Sequence, residues 1–174
     1  MMSSQGLRAQ SALSANGERR HRPVIFGLTV FDRSVLFANI SSIIESLMPF
    51  SFWADLNHTA FRDSALADAV AIVPVGAIEQ HGPHLPLSTD AVLAEEMARE
   101  TASRVADARA LVLPAVAYGK SDEHLGYQGT VSLDAETLIA ILSQIGRSIA
   151  RAGVRRVVFL NAHGGNVPVL QIVI

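Results

Sequence analysis

Three short runs rich in β-branched residues, Val70 to Val75 (VAIVPV), Leu111 to Val116 (LVLPAV) and Val154 to Leu160 (VRRVVFL), are separated by stretches of helical period. Between the first two, Ala91 to Ala106 sets Val92, Leu93, Met97, Thr101 and Val105 at helical spacing, with Glu95, Glu96, Arg99 and Arg104 left for the opposite face. That pattern predicts an amphipathic helix resting on those five residues. Between the second and third runs, Leu138, Ile141, Leu142, Ile145 and Ile149 form an apolar stripe that Asp134 can cap and Gly153 can end. A last helix is expected over Val167 to Ile174, capped by Asn166. Pro74 and Pro114 cannot donate to a ladder, so each should lie near the end of its strand. Strands joined through helices need crossovers, hence parallel pairing with helices packed on the sheet: an α/β fold with three buried strands.

Composition limits what such a fold can be. With 174 residues, 49% hydrophobic and 17% charged, there is material for one core and little reason for two. Met1 to Arg22 is Ser-rich and basic, and the apolar stretch from Pro23 to Phe50 is broken by Asp32, Arg33 and Glu45. Residues 1–50 therefore read as an N-terminal extension, poorly ordered or dispensable, before a domain over 51–174. The uncharged runs are well short of the roughly 18 residues that a membrane span needs, and no small-x-small cleavage site follows the first of them, so a cytoplasmic protein is expected. A net charge of −2 supplies no basic field for nucleic acid. With no cysteine, any metal must be held by His, Asp and Glu.

In parallel sheets ligands bind outside the carboxyl ends of the strands. Each run here delivers a polar motif at that end: Gly76 to Asp90, Tyr118 to His124, and Asn161 to Asn166. Glu79 and His81 are two apart and share a side in extended backbone, Asp90 stands at the entrance to a helix, and His163 arrives from the third strand. Such nitrogen and oxygen donors suit zinc, manganese or ferrous iron. Spacing alone equally allows Asp90 as a mere helix cap, Glu79 and His81 as solvated loop residues, and His163 as a hydrogen-bonded histidine. Glu123 reads as an acid/base candidate or an exposed loop carboxylate; Gly164-Gly165 as a close backbone approach or a turn. His84, held between prolines, reads as a group that orients a ligand, while His21 and His58 carry no role and Arg155-Arg156 is a simple charge pair.

The stretches Pro74 to Asp90 (PVGAIEQHGPHLPLSTD), Tyr118 to Leu133 (YGKSDEHLGYQGTVSL) and Asn161 to Asn166 (NAHGGN) together resemble the creatininase family of creatinine amidohydrolase-like proteins. The resemblance implies a three-layer α/β/α hydrolase of non-peptide C–N bonds (amide, cyclic amide or formamide), commonly hexameric, acting on a small molecule with a metal-activated water. It places Glu79, His81, Asp90 and His163 on the metal positions, with two divalent ions (Zn, Mn or Fe) per chain and Asp90 bridging them. It places Ser121 at the substrate and Glu123 and His124 on the same substrate-side loop. Glu123 and His124 are then the catalytic candidates, with Glu123 or a residue beyond Ile174 as proton shuttle; His124 and Ser121 supply hydrogen bonds to the substrate, and Gly164 and Gly165 line its pocket. Ala77 and Ala162 stand where Ser and Gly are usual, which should spare the loops. Creatinine-hydrolysing members carry Tyr-Glu where this chain has Gly164-Gly165, which resembles instead the formamide deformylases and the relatives that process a peptide-derived redox cofactor. The family's chains continue past the position of Ile174, so an incomplete member is expected, and a non-catalytic remnant serving as an assembly subunit is the competing reading.

Overall fold

A computed structural model of the chain describes residues 50–62, 64–105 and 108–174. Apart from Phe50, the expected extension lies outside the described residues. The elements run β1 (Phe50–Phe52), β2 (Val70–Val75), α1 (Thr89–Arg104), β3 (Ala110–Val112), α2 (Ala135–Arg151), β4 (Arg156–Asn161) and α3 (Val167–Val173). Three short 3-10 turns join β1 to β2. All four strands pair in parallel, in the order β1-β3-β2-β4. β1 escapes sequence reading because three residues carry no measurable alternation.

β2 sits in the middle and alternates across the sheet. Ala71, Val73 and Val75 pack with Leu138, Leu142 and Ile149 of α2 and with Val169 and Leu170 of α3. Ile72 packs on the other side with Ala98 and Ala102 of α1 and with Ala110 and Val112 of β3. Helices therefore cover both faces, giving the expected α/β/α layering. The chain leaves β2 for β3 through α1, then returns past β2 to β4 through α2 on the opposite face. Because β2 and β4 are neighbours whose following helices lie on opposite sides, a crevice opens at their carboxyl ends.

Three expectations shift. In α1 the residues against the sheet are Ala91, Ala94, Ala98 and Ala102. Val92 and Met97 are each 52% exposed and Leu93 48%, so most of the expected stripe faces outward, whereas Val105, just past the helix end, packs against the inner cluster. The small side chains let the helix lie close on β2 and β3, which the larger apolar residues would prevent. The second run holds its ladder only to Val112; Pro114 interrupts it, and Val116 resumes pairing with Val75. β4 starts at Arg156, two residues late, and is not fully buried: at the edge of the described sheet Val158 is exposed. Asp134 does cap α2, accepting from the Thr137 N–H at 2.7 Å, and Gly153 follows it with φ +92°.

Candidate metal centre

The crevice is where the three polar loops meet. Gly76, at the exit of β2, sets their spacing: a Cβ there would stand 2.5 Å from Ala91 Cα and 2.8 Å from the Asp90 carbonyl carbon. Glycine alone lets the first turn of α1 press against the strand end. Asp90 is thereby carried inward to 6% exposure, beside Glu79 at 5% and His163 at 6%. Asp90 is not the N-cap residue of α1; Ser88 holds that position. Its charge at the first turn still suits the helix dipole.

Hydrogen-bond partners fix the tautomers of two imidazoles. His81 Nδ1 lies 3.1 Å from the carbonyl of Glu79, which can only accept, so Nδ1 carries the proton and Nε2 presents its lone pair. His163 Nε2 lies 2.8 Å from the carbonyl of Lys120, so there Nε2 carries the proton and Nδ1 is free. The two free nitrogens face different oxygens of one carboxylate: His81 Nε2 is 3.0 Å from Asp90 Oδ1, and His163 Nδ1 is 3.1 Å from Asp90 Oδ2. Glu79 Oε1 adds a third contact, 3.4 Å from His163 Nδ1, while Glu79 Oε2 is buried with no hydrogen-bond partner among the described residues.

Lone pairs facing lone pairs repel unless a cation or proton lies between them. Two donors each about 2.1 Å from a tetrahedral zinc stand roughly 3.4 Å apart, the scale of the separations here. Glu79, Asp90 and His163 accordingly form a group with one ligand atom each within 4.8 Å of the others, and a second such group is Glu79, Glu123 and His124. The residues fit a divalent cation. Burial lowers the pKa of His81, but the Glu79 carbonyl and the Asp90 and Glu79 carboxylates outweigh it and hold the imidazole above its ordinary 6.5, as expected where a proton can take a cation's place.

The remaining predicted residues surround this cluster. Glu123 is 46% exposed at its side chain, with Oε1 3.9 Å from His163 Nε2 and Lys120 Nζ on its other oxygen at 3.9 Å. His124 Nε2 is 3.6 Å from Glu79 Oε1. Ser121, expected at the substrate, is fully buried with Oγ 3.2 Å from His163 Nε2, so it braces that ring from behind. Gly165 is a close approach: a Cβ would meet the Lys120 carbonyl and His163 Nε2, whereas a Cβ on Gly164 would meet nothing within 4 Å. Both also belong to a 3-10 turn, Gly164–Asn166, so the two readings left open hold together. His84 is exposed on its loop rather than packed behind a ligand.

Asn166 has a role that its sequence position hides. Expected as a cap, it makes no side-chain cap bond. It is fully buried instead, accepting from Lys120 N at 2.9 Å and donating to the Gly76 carbonyl at 3.0 Å and to Asn161 Oδ1 at 3.1 Å. One amide thus ties together the three loops that carry the cluster. Three polar loops converging would have hinted at such a clasp, but nothing in the spacing names Asn166 as its centre.

A family model described as Creatininase: Creatinine amidohydrolase matches residues 54–174. The mycofactocin precursor peptide peptidase of Mycobacterium tuberculosis (strain ATCC 25618 / H37Rv) is 45% identical over 106 residues, covering 57% of this chain and 42% of that protein. The creatinine amidohydrolase of Pseudomonas putida is 40% identical over 107 residues, covering 59% and 40%. Among solved structures, a chain titled Creatininase Mn superposes with a TM-score of 0.62 at 34% identity, covering 70% of this chain and 50% of that one. The matched part spans less than half the length of these curated relatives.

Proposed function

Because the chain belongs to the creatininase family, we propose that it is a metal-dependent hydrolase of amide C–N bonds working at the Asp90 centre. The observation that carries this reading is the pair of imidazole nitrogens, His81 Nε2 and His163 Nδ1, each turned by a backbone carbonyl toward its own oxygen of one buried carboxylate. On this reading two divalent ions, zinc, manganese or iron, are held per chain. Glu79, His81, Asp90 and His163 would hold them, with Asp90 as the shared ligand.

Bound there, such a cation supplies Lewis acidity to a carbonyl oxygen and lowers the pKa of bound water to about 7. The chain's own groups hold the geometry and move the proton. Lys120 and Ser121 fix the His163 ring from behind, and the Glu79 carbonyl fixes His81. Glu123 is the carboxylate with access to both the cluster and solvent, which suits it to carry a proton from the attacking water to the leaving nitrogen. His124 stands beside it, within reach of Glu79 and of a bound amide.

The names of the relatives span a precursor peptide and creatinine. We place the substrate of this chain among small non-peptide amides and formamides, with creatinine disfavoured. Gly165 offers no carboxylate to the centre, and the Lys120 carbonyl fills the space where a Cβ would stand. A homo-oligomer, hexameric by family resemblance, belongs to the same proposal. None of the described helices is long and apolar enough to cross a membrane.

Elemental analysis of the purified protein, with turnover of creatinine, formamides, linear amides and short peptides, tests the reading. Bound divalent metal with chelator-sensitive hydrolysis of a formamide or linear amide is the expected result. Failure to bind any divalent ion overturns the metal centre, and the highest kcat/KM on creatinine or a peptide overturns the substrate class.

A further inference from the structure

Three imidazoles surround Glu79, and by distance alone His124 is as good a ligand as the others. Its hydrogen-bond partner separates it from them. His124 Nδ1 lies 3.0 Å from Gln80 Nε2. The orientation of that amide is set at its other end, where the Gly82 N–H donates to Gln80 Oε1 at 2.9 Å. A backbone N–H can only donate, so Oε1 is the acceptor and Nε2 is an amide donor. His124 Nδ1 must therefore accept, and the neutral ring carries its proton on Nε2, the atom 3.6 Å from Glu79 Oε1. The backbone holds Gln80 in turn through its own N–H, which donates to Thr130 Oγ1 at 3.3 Å.

We infer that Gln80 is a positioning residue that locks His124 as its Nε2–H tautomer, so that His124 enters the site as a neutral hydrogen-bond donor and not as a metal ligand. His81 and His163 give their protons to backbone carbonyls and present lone pairs inward; His124 receives a proton donor from behind and presents an N–H inward. The group Glu79, Glu123 and His124 is then no metal site in this tautomer. Resting on the proposed amide hydrolysis, the ligand for that N–H is the carbonyl oxygen of the substrate, whose charge grows as water attacks; a fixed donor aimed there favours the transition state over the ground state. The bond is a hydrogen bond throughout, and no proton leaves His124.

Nitrogen-15 spectra of the histidine side chains in the whole chain test this, with His124→Asn used to assign the ring. Wild type should show a pyridine-type Nδ1 and a pyrrole-type Nε2 at His124, and the Nε2 proton should survive zinc titration while the His81 and His163 resonances move. In Gln80→Glu the carboxylate can still accept from Gly82 but cannot donate to the ring, so Nδ1 should become pyrrole-type. Gln80→Met, with neither donor nor acceptor, should give averaged ring nitrogens if the Glu variant does not fold. A pyrrole-type Nδ1 in wild type, zinc ligation by His124, or unchanged ring nitrogens in the variants overturns the inference. With an amide that the wild type hydrolyses, Gln80→Glu should lower kcat roughly 100-fold with KM nearly unchanged; an unchanged kcat removes the donor role. The tautomer is read without substrate, so a chain that hydrolyses no amide defeats the functional reading while the spectra still decide the role of Gln80.

Discussion

His163 donates its Nε2–H to the backbone carbonyl of Lys120 across 2.8 Å, and this bond decides which ring nitrogen faces Asp90. The carbonyl belongs to the loop after β3, whereas the histidine follows β4, so the lone pair that faces Asp90 depends on two loops keeping their separation. Gly165 and Asn166 maintain it. The first offers no Cβ to push the carbonyl away, and the second holds the Lys120 N–H at 2.9 Å.

Gly165→Ala should therefore weaken zinc binding. The added methyl would meet the Lys120 carbonyl, which must move and release the imidazole. Loss of an outer partner of this kind typically costs 10–100-fold in affinity. Gly164→Ala, whose methyl meets nothing within 4 Å, is the control and should bind as the wild type does. Competition against a chromophoric chelator measures both; equal affinities would show that the carbonyl does not set the ring.

Asp90→Asn tests the bridge itself. The amide keeps the shape of the carboxylate but offers one oxygen in place of two, with no charge. Between His81 Nε2 and His163 Nδ1 it can serve only one side. Metal content after exhaustive dialysis should fall by about one ion per chain. An unchanged load would remove Asp90 from its bridging position.

How much of this could be read in advance follows from what periodicity records. The α2 stripe and its Asp134 cap were legible because large apolar residues at helical spacing against a polar face leave few alternatives. In α1 the same logic picked the wrong face. Val92, Leu93 and Met97 look more hydrophobic than Ala94, Ala98 and Ala102, yet the sheet selected small volume over apolar area. The clustering of Glu79, His81, Asp90 and His163 was within reach of motif and topology together, since parallel strands gather their carboxyl-end loops at one crevice. Tautomers were not, because they depend on which carbonyl or amide a ring meets across the fold: Lys120 for His163, Gln80 for His124.

The packing of α1 gives a direct comparison. Ala98 is fully buried between α1 and the sheet, so Ala98→Leu should overpack it and cost about 1–3 kcal/mol. Leu93→Ala, at a position 48% exposed, should stay within about 0.5 kcal/mol of wild type. Urea unfolding of both variants reads the difference. A larger loss from Leu93→Ala would return the sheet-facing role to the Val92, Leu93 and Met97 face.

His81 gives the cluster a pH dependence whose sign depends on what fills it. Without metal, the Glu79 carbonyl and the two carboxylates outweigh burial and raise the folded pKa of His81 above the ordinary 6.5. A raised histidine pKa adds stability that is fully present below the unfolded value and is lost as pH rises through the folded one. The thermal midpoint of chelator-treated protein should therefore carry a contribution that falls as pH rises above 6.5, absent from His81→Gln. Zinc reverses it, because the nitrogen that faces Asp90 Oδ1 must shed its proton to bind, so the stabilisation by a fixed zinc concentration should grow over the same span. Scanning calorimetry in chelator and in zinc measures both slopes. Identical metal-free slopes for wild type and His81→Gln would show that the imidazole is not the group being titrated, and a zinc stabilisation that shrinks with rising pH would show that His81 is not deprotonated for the metal.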